Sequence, residues 1–303
     1  MAYKIIKIKN MFDDTLYGLA WTCTRPIGNV IIITGMQETS ERYDEFARYL
    51  NANRYDVYCI DHYGQGLNIA DGDIPGTWPI SGFSKTVKTF GEVEALLQQT
   101  GLPTYVFGHS MGSFVVQDFI QRFHGRVKKV VICGSDFPRP SLMHFAYYLS
   151  KLIVHKKNRN TPNKTLAKLV TGKFSKGVKN ATTDFDWLSY NKENVEKYIK
   201  DPKCGFVATG GFYREFLKGM SRVGERKFLK KIRNSTEIFI IAGAEDPVGH
   251  MSKGPNKLAK VYHHLGIRYV NLKIYPNMRH EILNEKNRKE VFEDVLKFFN
   301  TKN

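Results

Sequence analysis

Short apolar runs alternate with amphipathic segments along the first 136 residues of the chain. The runs are rich in β-branched residues and nearly continuous, as in Asn-Val-Ile-Ile-Ile-Thr at 29–34. Such runs are typical of strands that helices bury on both faces. The segments between them repeat apolar residues at helical spacing, as Tyr43, Phe46 and Leu50 do. Because strand and helix alternate, the pattern predicts an α/β fold with a mostly parallel central sheet and helices on both faces.

The same patterns give approximate bounds for the other elements. Residues 3–9 and 17–23 flank a turn-rich segment and predict an N-terminal hairpin. Further strands are expected at 55–61, directly after Pro103, at 127–133, at 236–243 and at 269–275, and helices at 41–51, 83–100, 255–265 and 288–299.

The alternation stops between residue 137 and about residue 233. No strand pattern is evident there, and helical segments rich in lysine and aromatic residues occur at 142–155, 194–200 and 211–220. We therefore expect an α/β core formed by residues 1–136 and 234–303, with a helical cap or lid inserted as residues 137–233.

The sequence Gly-His-Ser-Met-Gly at 108–112 lies between a predicted strand and an apolar helix. A serine at such a turn has a strained backbone and needs small neighbours, which Gly108 and Gly112 provide. The following helix directs its free N–H groups and its positive dipole end at the same point. The five residues alone also fit an ordinary glycine-rich turn, but their context favours a nucleophile elbow in which Ser110 is the nucleophile.

A serine hydroxyl needs a base, and that base needs an orienting acid. Where a serine lies on such an elbow, an acidic residue and then a histidine follow it along the chain, each just past the end of a strand. Asp246 comes three residues after the predicted strand that ends at Gly243, so it is predicted to be the acid. Glu245 and Asp136 remain alternatives.

His280 follows the strand predicted at 269–275 and is predicted to act first as general base and then as general acid. Eight other histidines compete with it. His62 and His109 lie close to the expected site but precede the serine, and His250 is the remaining alternative in a loop after a strand.

Two backbone N–H groups are predicted to stabilise the oxyanion that forms during attack by the serine. One belongs to Met111, directly after the serine, and the other to Met36, in the loop that begins with Gly35 at the end of a buried strand. Because these donors are backbone groups, their side chains need not be polar.

Several segments of the chain resemble the monoacylglycerol lipase and lysophospholipase group of α/β hydrolases, and its bacterial members in particular. Asp-His-Tyr-Gly-Gln-Gly at 61–66 is similar to that family's Asp-His-Arg-Gly-His-Gly loop. The other resembling segments are 35–43, 108–112, 185–189, 201–206, 246–249 and 279–281, so the resemblance covers nearly the whole chain.

The resemblance implies a serine hydrolase with no metal and no cofactor, in which a helical cap covers an apolar acyl tunnel. It also implies that Glu38 and Arg42 contact the leaving alcohol. With His109, which lies beside the serine, they are the candidate substrate-binding residues.

The chain departs from the family pattern around the predicted oxyanion loop. Thr34 and Thr39 stand where the family has histidines, and Tyr63 and Gln65 stand where it has arginine and histidine. The backbone donor at Met36 does not depend on these side chains. The resemblance therefore supports the oxyanion site but does not assign glycerol as the leaving alcohol.

The charge of the chain is concentrated in its second half. The formal net charge is +17, and residues 137–233 hold 22 Lys or Arg against 7 Asp or Glu. A basic segment can attract an anionic membrane surface, nucleic acid or an acidic substrate, or it can be an ordinary solvated surface. Residues 145–157 combine an apolar, aromatic face with a basic end, which fits either an interfacial helix or a helix packed on its own protein. No motif for nucleic-acid binding accompanies the charge, so nucleic acid is not an expected partner.

The chain lacks the sequence features of export or membrane insertion. No apolar stretch approaches the length of a membrane-spanning helix, and residues 1–9 alternate apolar and basic residues instead of forming a signal-peptide core. The four cysteines are scattered singly, so buried free thiols are expected. These features predict a cytoplasmic protein, with the basic cap as its only expected contact with membranes.

Together these features predict a serine carboxylic ester hydrolase that acts on an acyl lipid, either a monoacylglycerol or a lysophospholipid. A short-chain carboxylesterase and a proline-type aminopeptidase are alternatives, because the elbow does not distinguish among these activities. A hydrolase-fold binding protein without turnover is a further alternative, against which the complete Ser, Asp and His order argues.

Overall fold

One eight-stranded sheet forms the centre of residues 3–301, the part of the chain that this computed structural model describes. The strands are β1 (Lys4–Lys9), β2 (Thr15–Trp21), β3 (Gly28–Ile33), β4 (Tyr55–Ile60), β5 (Thr104–His109), β6 (Lys129–Cys133), β7 (Glu237–Gly243) and β8 (Tyr269–Tyr275). They lie in the order β1-β2-β4-β3-β5-β6-β7-β8. β1 and β2 form the expected hairpin, β2 pairs with β4 antiparallel, and the remaining pairs are parallel.

Ten α-helices accompany the sheet in the described residues. They are α1 (Asp44–Ala52), α2 (Gly82–Gln98), α3 (Met111–Arg122), α4 (Pro140–Ile153), α5 (Lys164–Val170), α6 (Lys192–Lys200), α7 (Gly210–Val223), α8 (Arg226–Leu229), α9 (Lys253–His264) and α10 (Arg288–Asn300). The predicted α/β-hydrolase fold is confirmed, with α4 to α8 between β6 and β7. None of the helices in residues 3–301 is long and apolar enough to span a membrane.

The two faces of the sheet explain the continuous apolar runs. Along β3, Val30 and Ile32 pack in one core with α1 and α10, whereas Ile31 and Ile33 pack in the other with α2, α3 and α9. Successive side chains of a strand point to opposite faces. When helices cover both faces, the residues at odd and at even positions must therefore all be apolar.

The structure also differs in places from the sequence-based elements. The helix expected at 41–51 is split into a 3₁₀ turn at Ser40–Tyr43 and α1. The short helices α5 and α8 were not predicted, because each buries a single residue and has no amphipathic repeat. The cysteines are free as expected, but Cys23 is only half-buried.

The helices between β6 and β7 form an inner and an outer part. In the inner part, α7 packs on the core helices. Asp118 of α3 is fully buried and pairs with Arg122 of its own helix and with Arg222 of α7. Phe212 of α7 also contacts Trp78 of the core, with ring centroids 4.5 Å apart. The outer helix α4 buries only Ser150 among its residues.

Candidate active site

The turn between β5 and α3 places Ser110 in a backbone conformation that few non-glycine residues adopt. Its φ and ψ angles are 52° and −119°, and its N–H donates to Cys133 O at 3.0 Å. Both flanking glycines are required by close approach. A Cβ atom on Gly108 would lie 2.5 Å from Gly112 O, and one on Gly112 would overlap Ile33 O of the neighbouring strand. The turn therefore has the geometry expected from the motif.

His280 and Asp246 are in direct contact. The Nδ1 atom of His280 lies 3.0 Å from each carboxylate oxygen of Asp246, and both side chains are at most 1% exposed. Since Nδ1 faces a carboxylate, Nδ1 carries the proton and Nε2 is left as the acceptor. That Nε2 atom is buried and has no hydrogen-bond partner among the described residues. His280 and Ser110 line the same cavity.

The alternative acids have other partners. Glu245 accepts a hydrogen bond from the Tyr190 hydroxyl, and Asp136 lies 3.3 Å from His250. His250 itself is exposed, and neither alternative acid makes a hydrogen bond with His280 among the described contacts. The structure thus brings together Asp246 and His280, which the sequence analysis preferred as the acid and the base.

The loop after β3 reaches the serine. A Cβ atom on Gly35 would lie 3.1 Å from Ser110 Cβ, so this backbone is in contact with the turn that carries Ser110. Met36 and Met111 both line the cavity. Within residues 3–301, no backbone hydrogen bond outside regular elements uses either of their N–H groups. Both groups are therefore free to donate to a bound oxygen.

A buried polar network lies beside this loop. Glu38 accepts hydrogen bonds from Gly35 N and from the Tyr43 hydroxyl, and His109 Nδ1 lies 3.0 Å from that hydroxyl. Burial raises the pKa of Glu38, but hydrogen bonds and charge from His109, together with the Arg42 charge, outweigh burial and lower it to about 2. Burial lowers the pKa of His109, but Glu38 outweighs this effect and raises it above 6.5. Each side chain of the pair therefore favours the charged form of the other.

Arg42 lies behind the cavity wall instead of on it. It is 10% exposed, pairs with Glu281 at 2.5 Å and with Glu38 at 3.5 Å, and is absent from the residues that line the cavity. Glu38 and His109 do line it. Of the three candidate substrate-binding residues, two thus reach the cavity, and the third neutralises acidic groups there.

The cavity has a volume of about 940 Å³, and its lining residues are of three chemical kinds. Ser110 and His280 lie in a polar region with Glu38 and His109. Most of the remaining wall is apolar and includes Phe114, Leu142, Met143, Phe216, Leu217 and Met220. Exposed basic side chains also line it: Arg139, Lys173, Lys253 and Lys257.

Residues 24–287 match the family described as serine aminopeptidase, S33. The chain belongs to this family. It is a hydrolase of the α/β fold, similar to monoacylglycerol lipases and to other lipases and esterases.

Two curated relatives match this hydrolase over most of their length. The monoacylglycerol lipase of Mycolicibacterium smegmatis is 26% identical over 279 residues, which are 91% of this chain and 89% of the relative. The monoglyceride lipase of Homo sapiens is 24% identical, covering 86% of this chain and 82% of the relative. Among solved structures, a thermostable carboxyl esterase from Bacillus coagulans has a TM-score of 0.89 at 24% identity, covering 99% of this chain and 98% of that one.

Two residues of the inserted segment hold the loop of His280 in place, and the sequence patterns did not predict these contacts. The Trp187 ring lies 5.1 Å from the His280 ring, centroid to centroid, and the N–H of Glu281 donates to Leu188 O at 2.7 Å. Residues 185–189 stood out in the sequence only through the family resemblance. Their distance of more than 90 residues from His280 leaves no local pattern that could reveal the contact.

His62 is a further buried histidine near the site. Its Nε2 atom lies 3.0 Å from Thr34 O, and its ring contacts those of Trp78 and Phe90. Burial lowers its pKa from 6.5 to about 4. Between these two values the unfolded chain binds a proton that the folded chain does not, so stability falls as the pH falls through this window.

We expect His62→Gln to flatten this dependence, because glutamine can still donate to Thr34 O but does not titrate. Between pH 7 and pH 4.5 the wild type should lose about 2 kcal/mol more unfolding free energy than the variant. Urea unfolding at both pH values measures the difference. His124→Gln, at an exposed position, is the control and should behave as the wild type does. Equal losses in all three proteins would contradict the assignment.

Proposed function

We propose that this hydrolase cleaves carboxylic esters of acyl lipids, monoacylglycerols or lysophospholipids, through an acyl intermediate on Ser110. The observation that carries the proposal is the free His280 Nε2 atom, which shares a largely apolar cavity with Ser110 while Nδ1 faces Asp246. Such a cavity can accommodate a fatty acyl chain with its ester carbon at the serine.

The first half of the reaction forms the acyl-enzyme. His280 Nε2 takes the proton of Ser110 Oγ while that oxygen attacks the ester carbonyl carbon. The carbonyl oxygen becomes an oxyanion and accepts hydrogen bonds from the N–H groups of Met36 and Met111. When the intermediate collapses, the bond to the alkoxy oxygen breaks and His280 gives its proton to the departing alcohol.

Water completes the cycle through the same groups. His280 takes a proton from the water molecule, the resulting hydroxide attacks the acyl carbon, and a second oxyanion forms on the same two donors. Collapse releases the fatty acid and returns the proton to Ser110. Asp246 keeps the proton of the neutral imidazole on Nδ1 and stabilises the imidazolium that forms in each half-reaction.

The division into a core of residues 1–136 and 234–303 and a cap of residues 137–233 is part of this proposal. The inserted helices supply much of the apolar cavity wall, including Leu142 and Met143 from α4 and Phe216 and Met220 from α7. Since α7 is tied to α3 through Asp118, we infer that the inner part is fixed to the core and that α4 is the freer element.

Charge pairing in the cavity favours an ester over a peptide substrate. An aminopeptidase needs an uncompensated carboxylate to hold the substrate's α-ammonium group. The acidic residues of the described cavity wall are Glu38, Asp136 and Glu281, and each is paired with Arg42 or a histidine. The relatives named monoacylglycerol lipase and monoglyceride lipase point in the same direction.

The headgroup of the substrate is constrained by the basic part of the wall. Four lysine or arginine side chains line the cavity, and a phosphate-bearing headgroup would complement their charge.

Arg42 makes ion pairs that support a different role from the contact with the leaving alcohol that the family resemblance implies. We infer that it neutralises Glu38 and Glu281 and that only Glu38 and His109 are placed to touch a leaving alcohol.

A matched series of esters tests this activity: p-nitrophenyl acetate, a long-chain monoacylglycerol and lysophosphatidylcholine. We expect the wild type to favour the long-chain substrates and Ser110→Ala to lose at least 10³-fold in kcat, because the nucleophile is removed. Ser221→Ala, which removes another buried serine, should leave activity unchanged. Activity of Ser110→Ala near that of the wild type would overturn the proposal, and hydrolysis of acetate alone would favour a short-chain esterase.

We propose further that α4 contacts anionic membrane surfaces. Four large apolar residues on one face of the helix are exposed: Leu142, Phe145, Tyr148 and Leu152, with exposed fractions of 53% to 73%. Lysines at 151, 156 and 157 follow at the end of this helix. An apolar face with a basic border is the pattern of helices that lie in the lipid interface. The cytoplasmic location stays a prediction from the sequence.

Cosedimentation with vesicles that contain anionic lipid tests this contact. We expect binding that weakens with salt and falls at least tenfold in Phe145→Ser/Leu152→Ser, because each change removes about 1.5–3 kcal/mol of apolar transfer energy. Ile5→Ser removes a similarly exposed apolar residue from β1 and should bind as the wild type does. Equal binding by all three proteins, or equal binding to neutral vesicles at high salt, would contradict the proposal.

A further inference from the structure

The side-chain amide of Gln65 is completely buried and makes two hydrogen bonds to the loop after β3. Its Nε2 atom donates to Gly35 O at 3.1 Å, and its Oε1 atom accepts from Gln37 N at 2.8 Å. These two backbone groups lie on either side of Met36. One side chain therefore holds the peptide groups on both sides of Met36, whose N–H is the proposed oxyanion donor.

The hydrogen bond to Gly35 O acts on the donor itself. The Gly35 carbonyl and the Met36 N–H belong to the same planar peptide group and point in opposite directions across it. Fixing the oxygen on one edge therefore fixes the direction of the N–H on the other edge. A hydrogen bond to the carbonyl also polarises the peptide group, which strengthens its N–H as a donor.

The second hydrogen bond restrains a residue that is itself strained. Gln37 has a φ of 61°, a conformation that costs a non-glycine residue energy. Its carbonyl accepts from Gly205 N at 3.0 Å and its side chain donates to Tyr213 at 3.1 Å, both in the inserted segment. Gln65 supplies the hydrogen-bond acceptor for the Gln37 N–H from the opposite side.

The loop that carries Gln65 is well suited to hold it in place. The carboxylate of Asp61, directly after β4, accepts from Ser40 N at 2.7 Å and from Leu67 N at 2.9 Å. Asp61 thus joins the loop after β4 to the segment that follows the oxyanion loop. The backbone of Gln65 is also bonded, donating to His62 O at 3.1 Å and accepting from Asn68 N at 2.8 Å.

We propose that Gln65 is a positioning residue for the oxyanion site, holding the Met36 N–H in the direction of the oxygen that develops on the substrate. This inference rests on the proposed ester hydrolysis at Ser110. An amide suits the role because it offers one donor and one acceptor at once. A carboxylate offers no donor to Gly35 O, and an aliphatic side chain offers neither group.

The experiment compares Gln65→Leu and Gln65→Glu with the wild type on one long-chain ester. We expect kcat to fall 10- to 100-fold in both variants while KM changes by less than threefold, because the oxyanion exists only in the transition state. The inhibition constant of a long-chain alkyl trifluoromethyl ketone, which forms an oxyanion adduct with the serine, should rise by a similar factor.

A pH profile separates positioning from a structural role. At low pH the buried carboxyl group introduced in Gln65→Glu becomes protonated and can donate to Gly35 O, and burial moves this titration to higher pH. The kcat of Gln65→Glu, divided by that of the wild type at each pH, should therefore rise as the pH falls. The division removes the titration of groups that both proteins share, such as Asp61 and Glu38.

Gln121→Leu is the matched control. Gln121 is also a fully buried glutamine that donates to a backbone oxygen, Val223 O at 2.8 Å, but on α3 and outside the cavity wall. The Gln121→Leu variant should have a lower unfolding free energy than the wild type but the same kcat. An unchanged kcat in both Gln65 variants, an equal fall in Gln121→Leu, or a flat pH ratio would overturn the inference. A wild type inactive on every ester would instead overturn the proposed function.

Discussion

The site depends on the meeting of parallel strand ends at one edge of the sheet. Strands β4, β3, β5, β6, β7 and β8 are neighbours in that order, and the loops that follow five of them supply Gln65, Met36, Ser110, Asp246 and His280. The remaining loop, after β6, begins with Gly134, where a Cβ atom would lie 3.0 Å from the His280 ring. His109 and His280, which are 171 positions apart in the chain, therefore come into contact through short loops at strand ends. Short loops leave few residues to order, which limits the entropy cost of building the site.

Charge compensation is the second constraint on the cavity. Glu38, Glu281, Arg42 and His109 are all buried or nearly so, and unpaired charges at such depth would be costly. Their mutual pairing offsets much of this charge, and Asp246 lies beside His280. In the proposed mechanism Asp246 is the carboxylate that stabilises the imidazolium. A neutral ester can enter such a cavity without bringing a charge that must be desolvated.

The sequence was informative where a pattern is local. The spacing of apolar residues predicted the sheet, and the bounds of β8 match the expectation of 269–275. Residue type and order after strand ends singled out Ser110 and His280, which line one cavity, and Asp246, which contacts His280. The sequence could not reveal that Arg42 lies behind the cavity wall, or that Gln65 bridges two peptide groups. Both facts depend on distances between segments that are remote in the chain. Gln65 was visible only as a departure from the family pattern.

The most direct test of the account is the stoichiometry of covalent labelling by a fluorophosphonate, which reacts with activated serines. We expect one phosphonyl group per chain, on the peptide that contains Ser110, and a loss of ester hydrolysis in proportion to the labelled fraction. Label on another residue, or full hydrolysis in a completely labelled protein, would contradict the claim that Ser110, His280 and Asp246 act together in catalysis.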